Sequence, residues 1–274
     1  MEDKEEQVLT SLQDLYIQEE EDEQEAKEPT PIIETESIPN LAGVEEIIGY
    51  SFNDKTLLQQ AFTHHSYDHQ ESCSSYERLE FVGDAMLNLL IAREHYFFYP
   101  DLPPGMLTRL RSANVNTEKL ARTAVNHQLH FYLRHRKPLL DGQIREFTNA
   151  ISDYPLHSSG LIKAPKVLAD IVESVIGAVF VDSNSSLDTT WKVAKSLLEP
   201  LITPDELQLH PVTKLYELCQ KNRSELQFVD LWKETGAIEV FVDNKFVEKG
   251  VYRPKRLIAI NRAANNAYNE IVKN

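Results

Sequence analysis

Cysteine is scarce, with two residues in 274. A secreted scaffold stapled by several disulfides is thereby excluded, and a reducing compartment is expected. No apolar run is long enough to span a membrane, so no membrane partner is expected. The N-terminus lacks the pattern of a signal peptide and is too acidic for a transit peptide. Cytosol, nucleus or both are the expected locations. RHRK (Arg134 to Lys137) and RPKR (Arg253 to Arg256) are too short to establish nuclear import. The nine histidines show no metal-ligand spacing, which removes the usual histidine-based zinc sites. A surplus of basic residues is also missing, since the formal net charge is −15.

That charge is unevenly spread. The first 37 residues hold 14 acids against 2 lysines, a net of −12, and the remainder holds 29 acids and 26 bases, a net of −3. Residues 1–40, with EEEDEQEAKEPTPIIETES at their centre, read as a disordered acidic tail. Within it VLTSLQDLY, Val8 to Tyr16, has the pattern of a short amphipathic helix and a candidate partner site.

What is present is more telling. YERLEFVGDAMLNLL, Tyr76 to Leu90, is apolar around most of a helical barrel yet carries Glu77, Glu80 and Asp84. At about 100° per residue, Glu80 falls near −60° and Asp84 near −20° from Glu77, on one narrow stripe. A solvated face would mix in basic and neutral polar residues as i,i+4 pairs. Here the one basic residue is Arg78, about 100° away from Glu77. PKVLADIVESVIGAVFVD, Pro165 to Asp182, repeats the pattern. Asp170 and Glu173 share a face within a nearly continuous apolar run, and the stretch reads as again lacking a basic neighbour. Gly83 and Gly177 interrupt the two runs, each at a cost of about 1 kcal/mol against Ala. Close helix-to-helix approach explains that cost. Two central helices are therefore expected to bring five carboxylates to one pocket. Hard oxygen ligands suit Mg²⁺ or Mn²⁺ and not zinc.

ERLEFVGDAML resembles the signature of the ribonuclease III endonucleases, and LADIVESVIGAVFVD resembles their second acidic motif. FTHHSY, Phe62 to Tyr67, is similar to the segment preceding that signature. One nuclease domain followed by one small domain resembles the bacterial enzymes, and DLPPGMLTRLRSANVNTEKLA is closer to plant ribonuclease III-like proteins. The resemblance covers roughly residues 43 to 200. It implies hydrolysis of phosphodiesters in double-stranded RNA with a divalent metal, by a homodimer formed through the endonuclease domain. Each subunit cuts one strand, leaving staggered ends with 5′ phosphate and 3′ hydroxyl. Glu80, Asp84, Asp170 and Glu173 are then the metal ligands, and Glu77 supports the site or contacts substrate. No small-molecule cofactor is implied. The family often has a Glu just before the GxLTRLRS-like segment, where this chain has Pro104, so an auxiliary acid is missing. Thr108, Arg109, Arg111 and Asn114 are candidate phosphate contacts in that helix, with Arg109 and Arg111 as plain surface charges the alternative. An acidic tail on an RNA enzyme would either screen against nonspecific RNA or merely solubilise.

The expected organisation is mainly α. The acidic tail, 1–40, precedes an all-helical ribonuclease III endonuclease domain, 41–200, then a linker, 201–208, and a small α-β-β-β-α double-stranded RNA-binding-like domain, 209–274. In the last, PVTKLYELCQK reads as an amphipathic helix, GAIEVFVD as a strand, Asp243 to Lys245 as a turn, FVEKGVY as the next strand and RLIAINRAANNAYNEIVKN as the closing helix. Residues 209–274 hold 11 bases and 8 acids, a net of +3. Domains of this kind read A-form shape through phosphates and 2′-hydroxyls. The match is degraded: KETGA lacks the Gly-Pro-x-His-like segment of the family loop, and Leu257 and Ile260 stand where lysines usually face phosphates. Glu217, Lys249, Arg253, Lys255 and Arg256 remain candidate RNA contacts, with dimerisation or protein contact as the other role. Cys219 reads either as a redox-sensitive thiol or as a packing thiol. His64 and His65 read as packing or hydrogen-bonding residues, and HYFFYP as core.

Three functional classes follow. A metal-dependent endonuclease of double-stranded RNA fits all five acids. A non-catalytic RNA-binding relative fits the fold but leaves the acids without a purpose. A carboxylate-bridged oxidase expects Glu-x-x-His pairs, which neither acidic segment supplies.

Overall fold

The computed structural model describes residues 41–67 and 75–273, so the acidic tail and the Val8 to Tyr16 segment lie outside the described residues. All described elements belong to one compact unit, Pro39–Asn274. Helices α1 (Ala42–Ile48) and α2 (Lys55–Ala61) lead to the central pair, α3 (Glu77–Phe98) and α7 (Lys166–Asp182). Between them run α4 (Pro104–Val115), α5 (Thr117–Asn126) and α6 (Leu140–Ala150), and α8 (Leu187–Leu198) follows. The C-terminal part is α9 (Pro211–Asn222), an antiparallel sheet ordered β1-β2-β3 (Leu226–Leu231, Ala237–Val242, Lys245–Val251) and α10 (Arg256–Lys273). A mainly helical body followed by an α-β-β-β-α end is the class expected. No helix among the described residues is long and apolar enough to cross a membrane.

α7 is the axis of the core. From Val167 to Val179 only Glu173 escapes full burial, as a helix apolar nearly all round requires. α3 packs on it along Leu79, Gly83, Leu87, Leu90 and Ile91, all buried. The glycines set the distance. A Cβ on Gly83 would lie 1.7 Å from the Glu173 carbonyl oxygen, and one on Gly177 would lie 2.1 Å from that of Leu79. Backbone touches backbone at this crossing, which is the close approach the two glycines implied.

Local polar contacts fix the ends. The Asp54 carboxylate accepts from Thr56 N at the start of α2. The Asp182 carboxylate, closing α7, accepts from Tyr50 Oη and from the backbone N–H groups of Asn53 and Asp54, so it ties the α1–α2 connection to the axis. Asn114, expected as a phosphate contact, is 0% exposed. Its amide donates to Ile202 O and its carbonyl accepts from Ile202 N, across 88 positions of chain. It is a structural residue, because a buried amide must find partners inside.

In the C-terminal part the β2–β3 turn places Asp243 and Asn244 at φ 50° and 62°, the two left-handed positions a tight hairpin asks for. α10 lies on β3 at very short range. A Cβ on Gly250 would meet Ala259 O at 2.3 Å and Ala263 N at 2.2 Å, which accounts for three small residues at one contact. Cys219 is buried in α9, and burial pushes its thiol up, away from the reactive thiolate. This is the setting of a packing thiol.

Candidate active site

α3 enters the site from Ser75 and Tyr76. His64 stacks edge-on to Tyr76, with ring centroids 5.7 Å apart, so the FTHHSY segment backs the start of the helix. One helical turn inward stands Glu80. Across the glycine crossing α7 presents Asp170 and Glu173. Carboxylate oxygens of Glu80, Asp170 and Glu173 all lie within 4.8 Å of one another. Asp170 is buried while Glu80 and Glu173 are half-buried.

Two of these acids, Asp170 and Glu173, resist ionisation. Burial pushes the Glu173 carboxyl up to about 8, and the charges of Asp170, Asp84 and Glu80 add to the push. Burial also raises Asp170, against the opposing pull of Lys166. The Tyr76 hydroxyl donates to Asp170 Oδ2 at 3.0 Å, and burial next to this carboxylate raises the phenol well above its ordinary value.

The sequence reading placed no basic residue here, and the structure corrects it. Lys166 Nζ donates to Glu80 Oε1 and to Asp170 Oδ1, each at 2.8 Å. Lys166 is the first residue of α7, four before Asp170, so the i,i+4 rule was a signal for it. Its reach across to Glu80 on α3 depends on the crossing and has no counterpart in spacing. Burial works against the ammonium charge, yet the two hydrogen bonds hold its proton well above the usual lysine range.

The other two acids are placed differently. Asp84 is exposed at the rim, where its Oδ1 accepts from Asn88 Nδ2 at 2.9 Å, and its charge still reaches Glu173. Glu77 is exposed and turned aside: it accepts from Ser75 Oγ at 3.1 Å and lies 3.1 Å from His65 Nδ1. Hard carboxylate oxygens in this number and spacing fit a divalent cation with oxygen preference. An ammonium among them is the positive charge that such a cluster requires when no other cation is bound.

The candidate RNA contacts fall on several surfaces. Thr108 and Arg109 are exposed on α4 and Arg111 is half-buried there. Thr108 Oγ1 donates to Pro104 O, one turn back. Arg253 and Arg256 both meet the Asp230 to Gly236 segment. Arg253 donates to Glu234 O at 3.0 Å, and Arg256 Nε pairs with Asp230 Oδ2 at 2.7 Å. Lys255 lies between them, half-buried. Glu217 and Lys249 are exposed on other elements, α9 and β3.

The family model of the ribonuclease III domain matches residues 77–184. Ribonuclease 3-like protein 3 of Oryza sativa subsp. japonica is 47% identical over 233 residues, covering 84% of this chain and 78% of that protein. Endoribonuclease Dicer homolog 1 of Arabidopsis thaliana is 46% identical over 236 residues, covering 83% of this chain and 12% of that protein. Ribonuclease 3-like protein 2 of Arabidopsis thaliana is 42% identical over 234 residues, covering 82% of this chain and 56% of that protein.

Proposed function

The chain belongs to the ribonuclease III family, and from that premise we propose that it is a divalent-metal-dependent endoribonuclease that cuts both strands of double-stranded RNA. The observation that carries this reading is the convergence of Glu80, Asp170 and Glu173 within 4.8 Å, beside the charge of Asp84. Glu80, Asp84, Asp170 and Glu173 would hold Mg²⁺ or Mn²⁺. Such an ion, when bound, supplies a water of lowered pKa and neutralises charge on the scissile phosphate.

The chain's own residues set up the rest. Tyr76 holds the Asp170 carboxylate in place by a hydrogen bond. Lys166, fixed to Glu80 and Asp170, carries a second positive charge to the phosphate or to the departing 3′ oxygen. Its hydrogen bonds to Glu80 and Asp170 keep it protonated at working pH. Glu77 and His65 shape the entrance. No serine, cysteine or histidine nucleophile is needed.

The same helix supports a homodimer. Phe81, Ala85, Leu89, Ala92 and Tyr96 fall on one stripe of α3 and are all exposed, Phe81 to 79%. An apolar stripe beside a cluster of acids calls for a partner surface. A two-fold partner would set a second acid cluster against the second RNA strand. The products would be staggered duplexes with 5′ phosphate and 3′ hydroxyl. Thr108, Arg109, Arg111, Glu217, Lys249, Arg253, Lys255 and Arg256 are the proposed RNA contacts.

The test is cleavage of a labelled RNA duplex by the purified chain with Mg²⁺, Mn²⁺, Ca²⁺ or EDTA, beside single-stranded RNA and duplex DNA. The expected result is duplex-RNA products with Mg²⁺ or Mn²⁺ alone, absent in Asp84→Ala. Duplex binding without cleavage under every metal would overturn the reading in favour of a catalytically silent RNA-binding relative.

A further inference from the structure

Away from the acids, a second set of polar side chains is buried where α10 meets the helical body. Asn261 Nδ2 donates to Gly160 O at 2.9 Å, and Arg262 Nε donates to Leu161 O at 2.9 Å. Each bond spans 101 positions of chain. Gly160 has φ +79°, and a Cβ there would lie 2.5 Å from Asn261 Nδ2 and 3.6 Å from His210 Nε2. Both nitrogens of His210 and Oδ1 of Asn261 are buried without a hydrogen-bond partner. Leu257, Ile258, Ala259, Ile260 and Asn261 are all buried, whereas Arg256 before them and Arg262 after them are half-buried.

The receiving loop is itself held firmly. Ser158 donates to Glu118 through both N and Oγ, at 2.7 and 2.6 Å, and Arg122 pairs with the same carboxylate at 2.7 Å. The backbone N–H of Leu161 donates to Ser158 Oγ. Arg262 stacks on Tyr252 at 4.5 Å, and both line a cavity with Phe147, Ile162 and Pro165 of the helical body. The loop runs on through Pro165 into α7, whose first residue is Lys166.

We propose that the start of α10 is a docking surface for this chain's own Ser158–Pro165 loop, so that the C-terminal α-β-β-β-α part is locked to the helical body as one rigid piece and not tethered to it. Two facts point away from a free RNA-binding face at this spot. The helix start offers apolar side chains, Leu257 and Ile260, where phosphates would need bases. Of its polar groups, Asn261 and Arg262 are spent on backbone carbonyls of the loop and Arg256 is paired with Asp230. The His210 imidazole reports on the joint: both its nitrogens are buried, Nε2 close against the Gly160 position, and an undocked domain would let water reach them. Burial accordingly pushes His210 down to about 4. On the endoribonuclease reading, on which this consequence rests, the lock fixes the C-terminal RNA contacts at one register from the acids. It also clamps the loop that delivers Lys166.

The test uses the full chain and needs no cleavage, so its failure is distinct from failure of the nuclease reading. Backbone ¹⁵N relaxation is expected to give one rotational correlation time for residues 77–198 and 211–273. The His210 ring is expected to titrate near 4. Two variants open the joint from opposite sides: Gly160→Leu, and Asn261→Ala with Arg262→Ala. Each should leave the β1–β3 amide shifts in place while splitting the correlation times and returning His210 to the ordinary histidine range. Separate correlation times in the unaltered chain would overturn the proposal. So would an unchanged His210 titration in both variants.

Discussion

Gly83 on α3 touches the backbone of Glu173 on α7 so closely that a Cβ would stand 1.7 Å from the Glu173 carbonyl oxygen. The contact is reciprocal, since Gly177 meets Leu79 in the same way. Glu80 and Glu173 are thus set by the same crossing that forms the core. Chemistry and packing share one fulcrum, and an added methyl at that point acts on both.

The first prediction follows from that contact. In an exposed helix, replacing Gly by Ala stabilises by about 1 kcal/mol. At Gly83 the sign should reverse, because neither backbone can yield without parting the helices, and overpacking of this kind costs about 1–3 kcal/mol. Gly83→Ala is expected to lower Tm and to weaken divalent-metal binding together. A thermal melt with a calorimetric metal titration checks it, and a variant melting at or above the parent would refute the crossing.

Much of this was legible in the sequence. Glu77, Glu80 and Asp84 announced a stripe, Asp170 and Glu173 a second one, and the glycines announced where the stripes meet. In the closing part, the two helices, the strands GAIEVFVD and FVEKGVY and the Asp243 to Lys245 turn between them were readable from periodicity, whereas the first strand, Leu226–Leu231, was implied only by the resemblance. What escaped was whatever depends on contacts between distant segments. Lys166 was in view four residues before Asp170, but its bond to Glu80 exists only after α3 and α7 cross. Asn114 looked like a surface polar residue because nothing local tells that Ile202 will cover it. The bond of Asn261 to Gly160 O likewise joins it to a loop about one hundred residues upstream.

The Lys166 bridge gives the second prediction. Lys166→Met keeps the length of the side chain and removes the charge that meets Glu80 and Asp170. Without metal, the crowded acids then lose a close cation, and the Asp170 and Glu173 carboxyls should be pushed further up. Duplex-RNA cleavage is expected to fall about 10²-fold or more, the scale of a lost electrostatic contact in a transition state. Single-turnover kinetics at saturating metal would check this, and an unchanged rate constant would leave Lys166 a structural bridge only.

The pH dependence has a definite sign. Glu173 ionises at about 8 in the folded chain, against about 4.5 as its ordinary value. Between those values the folded state holds the extra proton, so stability falls as pH rises across that window. Asp170 is shifted in the same direction. Calorimetric melts in EDTA are therefore expected to show Tm dropping from about pH 5 to about pH 8, with a flatter slope in Glu173→Gln. Divalent metal needs the carboxylate ionised, so its binding should release protons and tighten over the same range. A metal affinity that weakens with rising pH would contradict the arrangement of acids.

The five acids should not be equal. Glu80, Asp170 and Glu173 share one centre, and Asp84 reaches it by charge, whereas Glu77 is turned toward Ser75 and His65. Glu80→Gln, Asp84→Asn, Asp170→Asn and Glu173→Gln are each expected to abolish cleavage. Glu77→Gln should cost about tenfold, near the low end of what a single positioned side chain contributes. Parallel kinetics of the five variants decide it, and a Glu77→Gln loss as large as that of Glu80→Gln would move Glu77 into the centre.

The last prediction concerns Phe81. Its ring is 79% exposed at the head of an apolar stripe on the helix that carries the acids. A lone chain gains nothing from such exposure, since burying an aromatic ring is worth about 2–3 kcal/mol. If a second copy covers the stripe, Phe81→Glu puts two like charges at the two-fold joint and should yield a monomer by analytical ultracentrifugation. The fold should survive, because Phe81 touches solvent and not the core. Loss of staggered duplex products in that monomer would tie the paired cut to the paired chain. A Phe81→Glu variant that stays dimeric would place the joint on another surface.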